Sequence, residues 1–559
     1  MVEPRSAQWP HPRQEKPMNA DVDVLVVGAG PVGLTAAHEL ARRGVAVRIV
    51  DRAAGPAVTS RATATHARTM ETYAQMGLAG EFLRRGQRVE HFTMHRAGRR
   101  LIRLDTDYSH LPTRFPFTLQ VDQVIAEEIL RDALHRLGVD VEWGVGLVDL
   151  TNHPDRVDVV LQRADSTVQR LTVPWLVGAD GGHSTVRKRL DLRLQGDSTE
   201  TWLIADAVVD APLPRDSLHW MHTGNGTIML VPFPAEGKWR LLDTVDVTGA
   251  DDPDAVAVRF ARKMSRALRT PVHVRKPTWV SVFEIQQRMI GQMRAGRCFV
   301  AGDAAHVHSP ASGQGLNTGV QDAYNLCWKL ADVIRGHADD ALLDSYSAER
   351  VPIGETLLAS TRTATGLVAL RNAAAPVLLP VGLGVLNAVK PLKRKVERKI
   401  MEGMSGLALH YAGSPLSAAA ADGPGVRPGY RVACSTEEER RSPGWAAMCA
   451  ELADPRWTLL GVASPDPAVA EALRDAVRRF GRTVSVRTLL DAARSERYPD
   501  PLPDPDRAVH ERLGLGAGDY ALVRPDGYLA GKGRLSTAQD LATALRGFGL
   551  RPGEHATTR

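Results

Sequence analysis

The chain opens its ordered pattern with a run of valines. Residues 22–27 are apolar apart from Asp23, a texture that suits a strand buried on both faces. A glycine cluster follows, then residues 34–43 place apolar side chains at helical spacing, and residues 45–50 are valine-rich again. Strand, turn, helix and strand with short connections predict a βαβ unit. Helices are expected at 64–76 and 123–137, the second carrying Val124, Ile125, Ile129, Leu130, Ala133 and Leu134 on one stripe. Residues 157–161 and 168–173 alternate like an antiparallel pair, and 176–177 run into a glycine-rich turn. Between 195 and 285 the texture is β-like, with runs at 227–232 and 239–245, and predicts a mainly antiparallel sheet. Residues 298–301 lead into a second glycine-rich turn and a long helix at 318–335. A stretch rich in Pro, Gly, Ser and Ala over 413–429 reads as a linker. After it, a strand at 458–462, an Ala-rich helix, a strand at 520–523 with a Pro525-Asp526-Gly527 turn, and a helix at 538–546 form a separate αβ module.

Length and charge narrow the class. At 559 residues the chain exceeds one ordinary core. The pattern divides it into an arm over 1–20, a discontinuous first domain over 21–190 and 290–400, a β-sheet domain over 191–289, a linker over 401–429 and a terminal domain over 430–559. Apolar residues make up 43% and charged residues 24%, as in globular proteins. The net charge of +6 is spread along the chain, which argues against nucleic acid as a partner. The arm lacks the apolar core of a signal peptide. Residues 373–389 are apolar but number only 17 and contain Pro376 and Pro380, so they read as a buried helix or helix pair, with contact to a membrane surface as the alternative, and not as a membrane span. Cys298, Cys327, Cys434 and Cys449 form no CxxC and no zinc-ligand spacing with histidine. So few cysteines point to a reducing cytoplasm, and no metal site is expected.

Three motifs carry chemistry. The first is Gly28-Ala29-Gly30-Pro31-Val32-Gly33 between strand and helix, with Asp51 closing the next strand. Gly28 permits the turn, Gly30 lets backbone approach a pyrophosphate, and Gly33 lets helix and strand pack. The acid is placed for ribose hydroxyls. This motif serves FAD and NAD alike. The second runs from Cys298 through Gly302-Asp303 and His306 to Pro310, Gly313-Gln314-Gly315-Leu316-Asn317. A carboxylate there suits a polyol chain, and backbone N–H groups opening a long helix suit the pyrimidine edge of a flavin, which gains negative charge on reduction. His306 reads as a packing or hydrogen-bonding residue. The third, residues 175–187, ends a strand at Asp180-Gly181 and continues to Ser184 and Arg187.

In this order and spacing the three motifs resemble the single-component (group A) flavoprotein aromatic hydroxylases, the family of phenol and aromatic polyketide hydroxylases, over the whole chain. Arg52, Arg61, Gln120, Trp328-Lys329-Leu330 and residues 346–350 add to the likeness. Two positions depart from the common pattern: Ser312 stands where glycine is usual, and His183 where arginine is frequent. The resemblance implies an α/β fold with a Rossmann-like FAD-binding domain, a mainly antiparallel β substrate domain and a C-terminal thioredoxin-like domain, here without CxxC, that serves structure or oligomerisation, a homodimer being one such assembly. It implies that Asp51 holds the adenosine ribose and Asp303 the ribityl chain. Arg61 and Gln120 would contact the cofactor, Leu316 and Asn317 would present backbone to the flavin ring, and Asp180 and Arg187 would serve cofactor binding. Gly28, Gly30, Pro31, Val32, Gly33, Arg52, Gly302, Pro310, Gly313 and Gly315 complete that set.

The implied reaction uses NADPH or NADH and O2 to hydroxylate a phenolic or polycyclic aromatic molecule through a flavin C4a-hydroperoxide. Baeyer–Villiger insertion or oxidative rearrangement would use the same flavin motifs, and a non-catalytic FAD protein that binds an aromatic drug is the alternative of another class. A general base would help, but no motif identifies one. His219, His222 and Arg240, in the expected substrate sheet, are weak candidates, each more readily read as a core or surface residue.

Overall fold

The computed structural model describes residues 22–553 apart from 61, 224–225, 309–312, 370–381, 385, 419–422 and 492–497. The expected arm over 1–20, Arg61, Pro310, Ser312 and most of the apolar stretch at 373–389 therefore lie outside the described residues. No described helix is long and apolar enough to cross a membrane.

The βαβ unit forms as its pattern requires. Strand Val24–Val27 is wholly buried, pairs in parallel with Val47–Asp51 on one side and Trp175–Gly178 on the other, and lies inside a six-stranded sheet. Helix Pro31–Arg42 covers that sheet, with proline in its first turn, where a missing N–H costs nothing. Two glycines make the approach feasible. Gly28 has φ +102°, and a Cβ there would lie 2.4 Å from the Ala179 carbonyl oxygen. A Cβ on Gly33 would lie 1.8 Å from the Gly28 carbonyl oxygen. The helix packs against the long helix Gly315–Ile334, most of which is buried.

The second layer is a large mixed sheet. Gln195–Asp210, Ser217–His222, Thr227–Pro232, Lys238–Asp243 and Trp279–Met289 form its antiparallel body, as the β-like texture predicts. His91–Arg96 joins in parallel beside Ser217–His222, and His306–Val307 closes the opposite edge, so the sheet gathers strands from outside 191–289. Helix Pro253–Leu268 backs it. That helix hides in a β-like stretch, yet Val256, Phe260, Met264 and Ala267 have helical spacing and are buried, and the Asp252 side chain caps its start.

Residues 430–553 hold a five-stranded sheet in the order Pro501–Pro503, Val484–Leu490, Trp457–Val462, Asp519–Val523, Leu529–Arg534, with helices Pro467–Phe480 and Ala538–Gly547 packed together. It is fastened to the first domain by buried charge. The Arg524 guanidinium donates to both Glu349 oxygens at 2.6 and 3.0 Å, and Lys329 donates to Glu349 at 2.8 Å; all three side chains are fully buried. Burial opposes ionisation of Glu349, but Arg524 and Lys329 outweigh it and hold the carboxyl well below its ordinary range. The Cys434 and Cys449 sulfurs, both free thiols, lie 3.6 Å apart within the terminal module.

Candidate active site

The C-terminal ends of the parallel strands open into a cavity of about 1640 Å³ whose far wall is the large sheet. A single small-molecule site is typically about 300–1,000 Å³, so the space suits a dinucleotide and a second molecule together. At one end stand Gly28, Gly30, Pro31, Val32, Asp51 and Arg52, with Asp180 and Gly181 beside them. Asp51 braces its own loop, accepting from the backbone N–H of Ala29 at 2.7 Å and of Ala53 at 2.8 Å. Midway, Asp303 is exposed to the cavity on a single turn of 3-10 helix, with Gln120 also in the wall. The Gln120 Oε1 is buried and has no hydrogen-bond partner among the described residues. Gly313, Gly315 and Leu316 complete this end, where helix Gly315–Ile334 begins without an acidic residue in its first turn. Two helix N-termini therefore face the cavity with their partial positive charge. An orphaned acceptor, an acid over the middle and two N–H-bearing helix N-termini are a set of acceptors and donors that fits FAD.

Other motif residues build the walls. Asp180 accepts from the Ser184 hydroxyl and from the backbone N–H groups of Thr185 at 2.6 Å and Val186 at 3.1 Å. Arg187 is buried and ties the two motif turns together, donating to the carbonyls of Ala304 at 3.1 Å and Gly182 at 2.9 Å; burial lowers its pKa, against the pull of Asp180. Gly302 has φ +63° and lies under Val32, where a Cβ would sit 2.8 Å away. The Asn317 side chain locks the flavin-side loop, accepting from the His66 N–H at 2.8 Å and donating to the carbonyls of Ala64 at 2.8 Å and Gly313 at 2.7 Å.

The sheet wall of the cavity follows strand alternation. Leu218, Trp220, Met229, Val231 and Leu242 face the cavity, while His219, Met221, Ile228, Leu230 and Leu241 are buried on the other side. His219 is thereby turned away from the cavity. It is bonded to His95 at 3.0 Å and to the Pro214 carbonyl at 2.8 Å, and burial lowers its pKa. His222 sits at the end of the same strand, outside the cavity lining, with a pKa lowered by burial and by Arg96. Arg240 does reach the cavity, but its charge is balanced by a two-pronged bond to Asp206, both contacts 2.8 Å, and it also donates to the Ser60 carbonyl at 2.6 Å. None of the three is set up as a base.

Three features escaped the sequence reading. Trp220 presents an indole whose Nε1 has no partner among the described residues. Helix Lys390–Met404 covers part of the cavity with Lys399, Ile400, Gly403 and Met404, and the Gln314 side chain donates to the Gly403 carbonyl. His308 lines the cavity two residues after His306. The doubled histidine of His306-Val307-His308 on a short strand was its only signal.

Comparison with known proteins gives a consistent picture. Residues 21–361 match the family described as FAD binding domain. The 6-methylpretetramide 4-monooxygenase of Streptomyces rimosus is 58% identical over 534 residues, covering 95% of this chain and 94% of that protein. The anhydrotetracycline hydroxylase of Streptomyces rimosus superposes with a TM-score of 0.70 at 29% identity, over 95% of this chain and 99% of the other. A flavin-dependent monooxygenase solved with FAD and substrate reaches a TM-score of 0.77 over 95% of this chain and 99% of the other, at 23% identity, a likeness of fold.

Proposed function

This chain belongs to the FAD binding domain family and is an FAD-dependent aromatic monooxygenase, and we propose that its substrate is a polycyclic phenol of the polyketide type, oxidised with O2 at the expense of NADPH or NADH. The observation that carries this reading is the continuity of one cavity, from the glycine turn at Gly28 to the apolar wall of Leu218, Trp220, Met229 and Leu242. The relative at 58% identity is named for such a substrate, 6-methylpretetramide.

Bound reduced flavin would supply the oxygen-activating chemistry. The protein's part is position and exclusion of water. Asp51, Gln120 and Asp303 would hold the cofactor by its hydroxyls and donors, while the Gly30 and Gly315 N-termini would face its anionic parts. The apolar wall would take the fused rings, with the Trp220 N–H as one donor for a ring oxygen. Arg240, held by Asp206, would add a fixed cationic edge without a net charge. We read 430–559 as a thioredoxin-like module; its five-stranded order supports that fold and the absence of CxxC a structural role, with a homodimer as one assembly. Four free thiols support a reducing cytoplasm.

The decisive experiment measures the visible spectrum of the purified protein, then NADPH and NADH oxidation under air with phenols of one to four fused rings. A flavin spectrum, oxidation stimulated by the polycyclic members and a product heavier by one oxygen are expected. Stimulation by monocyclic phenols alone would overturn the substrate class, and a protein that takes up no FAD would overturn the cofactor assignment.

A further inference from the structure

Two of the four cysteines lie against each other. Cys434 and Cys449 are 15 positions apart in the chain, yet their Sγ atoms are 3.6 Å apart, and both are free thiols. Cys434 immediately precedes Ser435, whose side chain caps helix Thr436–Arg441, and Cys449 lies in the last turn of helix Pro443–Glu451. The sulfurs therefore span from the start of one helix to the end of the next. Cys434 is buried in a cluster with Trp445, Met448 and Leu460, and Cys449 packs against that cluster while staying half-buried. A covalent S–S bond is about 2.05 Å long, so closing the gap takes about 1.6 Å of movement, shared between two side chains.

A cation from the first domain stands beside the pair. Arg114 lies between strands Arg99–Asp105 and Thr118–Gln120 and is gripped by the terminal module. Its guanidinium donates to Glu439 at 2.8 Å, and its carbonyl accepts from the Thr436 hydroxyl at 3.0 Å. Burial opposes the charge of Arg114, while Cys449 and Glu439 favour it and Cys434 adds to them, so both sulfurs are within its electrostatic reach. A nearby cation favours a thiolate, the form that reacts with peroxides. The two sulfurs have unequal parts. The hydrogen bond with Cys449 and burial raise the pKa of Cys434, with Glu439 adding to them and Arg114 opposing, so Cys434 is the one that keeps its proton. Cys298 and Cys327 are completely buried in the core of the first domain. Burial pushes the Cys298 thiol up to about 12 and raises Cys327 as well.

We propose that Cys434 and Cys449 are a modification site for hydrogen peroxide, at which they form a reversible disulfide that braces the contact between the two parts of the chain. The Cys449 thiolate attacks one peroxide oxygen. An S–O bond forms, the O–O bond breaks, and the departing hydroxide takes the thiol proton to become water. The Cys434 sulfur then attacks the sulfenic sulfur of Cys449. The S–S bond forms, the S–O bond breaks, and the Cys434 proton leaves with the hydroxyl as a second water. Two thiols lose two electrons and the peroxide gains them. Hydrogen peroxide is the two-electron reduction product of O2, so oxidation of NADPH or NADH that is not coupled to hydroxylation supplies it at the enzyme itself. Disulfides of this transient, redox-sensing kind are the ones found in a reducing cytoplasm. Thr436 and Glu439, the two residues that hold Arg114, both lie in the loop 434–449 that the bond would close. Fixing that loop fixes the grip on Arg114.

The test adds peroxide directly and so does not depend on the substrate class. The full-length, FAD-loaded protein is reduced with dithiothreitol, freed of it and exposed to millimolar hydrogen peroxide. Remaining thiols are then alkylated with N-ethylmaleimide under denaturing conditions and located by peptide mass. Two of the four thiols should be lost to a Cys434–Cys449 linked peptide, and dithiothreitol should restore them. The melting temperature of the oxidised protein should rise by a few degrees, as for a staple across a loop of this length. Cys434→Ser should stop at a sulfenic acid on Cys449 that dimedone captures, and Cys449→Ser should leave Cys434 reduced. In both variants peroxide should leave the melting temperature unmoved. Four alkylated thiols in the peroxide-treated wild type would overturn the site, as would separate over-oxidation of the two cysteines without a link. A link that leaves the melting temperature unchanged would overturn the bracing role.

Discussion

Single side chains in this cavity do separable jobs. The Trp220 indole offers area and one N–H without a partner among the described residues. Trp220→Phe keeps an aromatic wall and removes only the donor. It should raise KM for the polycyclic substrate by a few-fold to about tenfold, the worth of one hydrogen bond, with FAD content unchanged; steady-state kinetics on the holoenzyme measure this. Asp303 is the other informative position, because its carboxylate is exposed to the middle of the cavity. Asp303→Ala should weaken FAD by about tenfold or more, read as flavin lost on gel filtration. A fully yellow variant with normal turnover would remove Asp303 from the cofactor contact. Neighbouring Asp180 and Arg187 have the same motif-level appearance, yet their hydrogen bonds are spent on the turns they belong to. Their loss should cost folding of the turn before it costs a cofactor contact.

At the level of elements, the fit depends on how closely helix Pro31–Arg42 lies on its strand. Gly33 leaves no room for a methyl group against the Gly28 carbonyl. Gly33→Ala should force the two apart, lower stability by about 1–3 kcal/mol and empty the flavin site, as thermal unfolding and bound-flavin absorbance would show. Strand alternation accounts for the other element-scale outcome. His219 lies on the buried side of its strand while its neighbours Leu218 and Trp220 face the cavity; His222 shares their parity but ends the strand, outside the cavity lining. The period of two was visible in the chain, but which parity faced the cavity was not, because both faces of the strand are covered.

The whole molecule is joined by the charge cluster of Lys329, Glu349, Arg524 and Asp526. Glu349→Gln would leave the buried Lys329 without its anion and Arg524 with Asp526 alone, a loss of about 3 kcal/mol or more, and limited proteolysis should then release the terminal module. The sign with pH follows from the depressed carboxyl. Its contribution is complete above the ordinary carboxylate range and is lost as pH falls below it. A wild type whose two parts already unfold separately at neutral pH would count against this clasp. The module thus supports the catalytic part through helices Gly315–Ile334 and Asp344–Ala369, which also carry Asp322 and Arg350, bonded to each other at 2.7 Å.

The chain by itself determined most of the elements and which glycines and acids line one end of the cavity. Local periodicity, the glycines at 28, 30 and 33, and the acids at 51 and 303 act over a few residues, so their meaning does not depend on distant packing. The long parallel core and the antiparallel body of the substrate sheet were legible for the same reason. Tertiary structure alone decided what depends on residues far apart. It chose the face of each substrate strand, brought His91–Arg96 and His306–Val307 into the large sheet, and laid helix Lys390–Met404 over the cavity. It also set His308, His306, Asp322 and Arg350 in one line of hydrogen bonds, although 42 positions of sequence separate its ends. Hydrogen bonds form between groups that folding places within about 3 Å, and spacing along the chain does not reveal that distance.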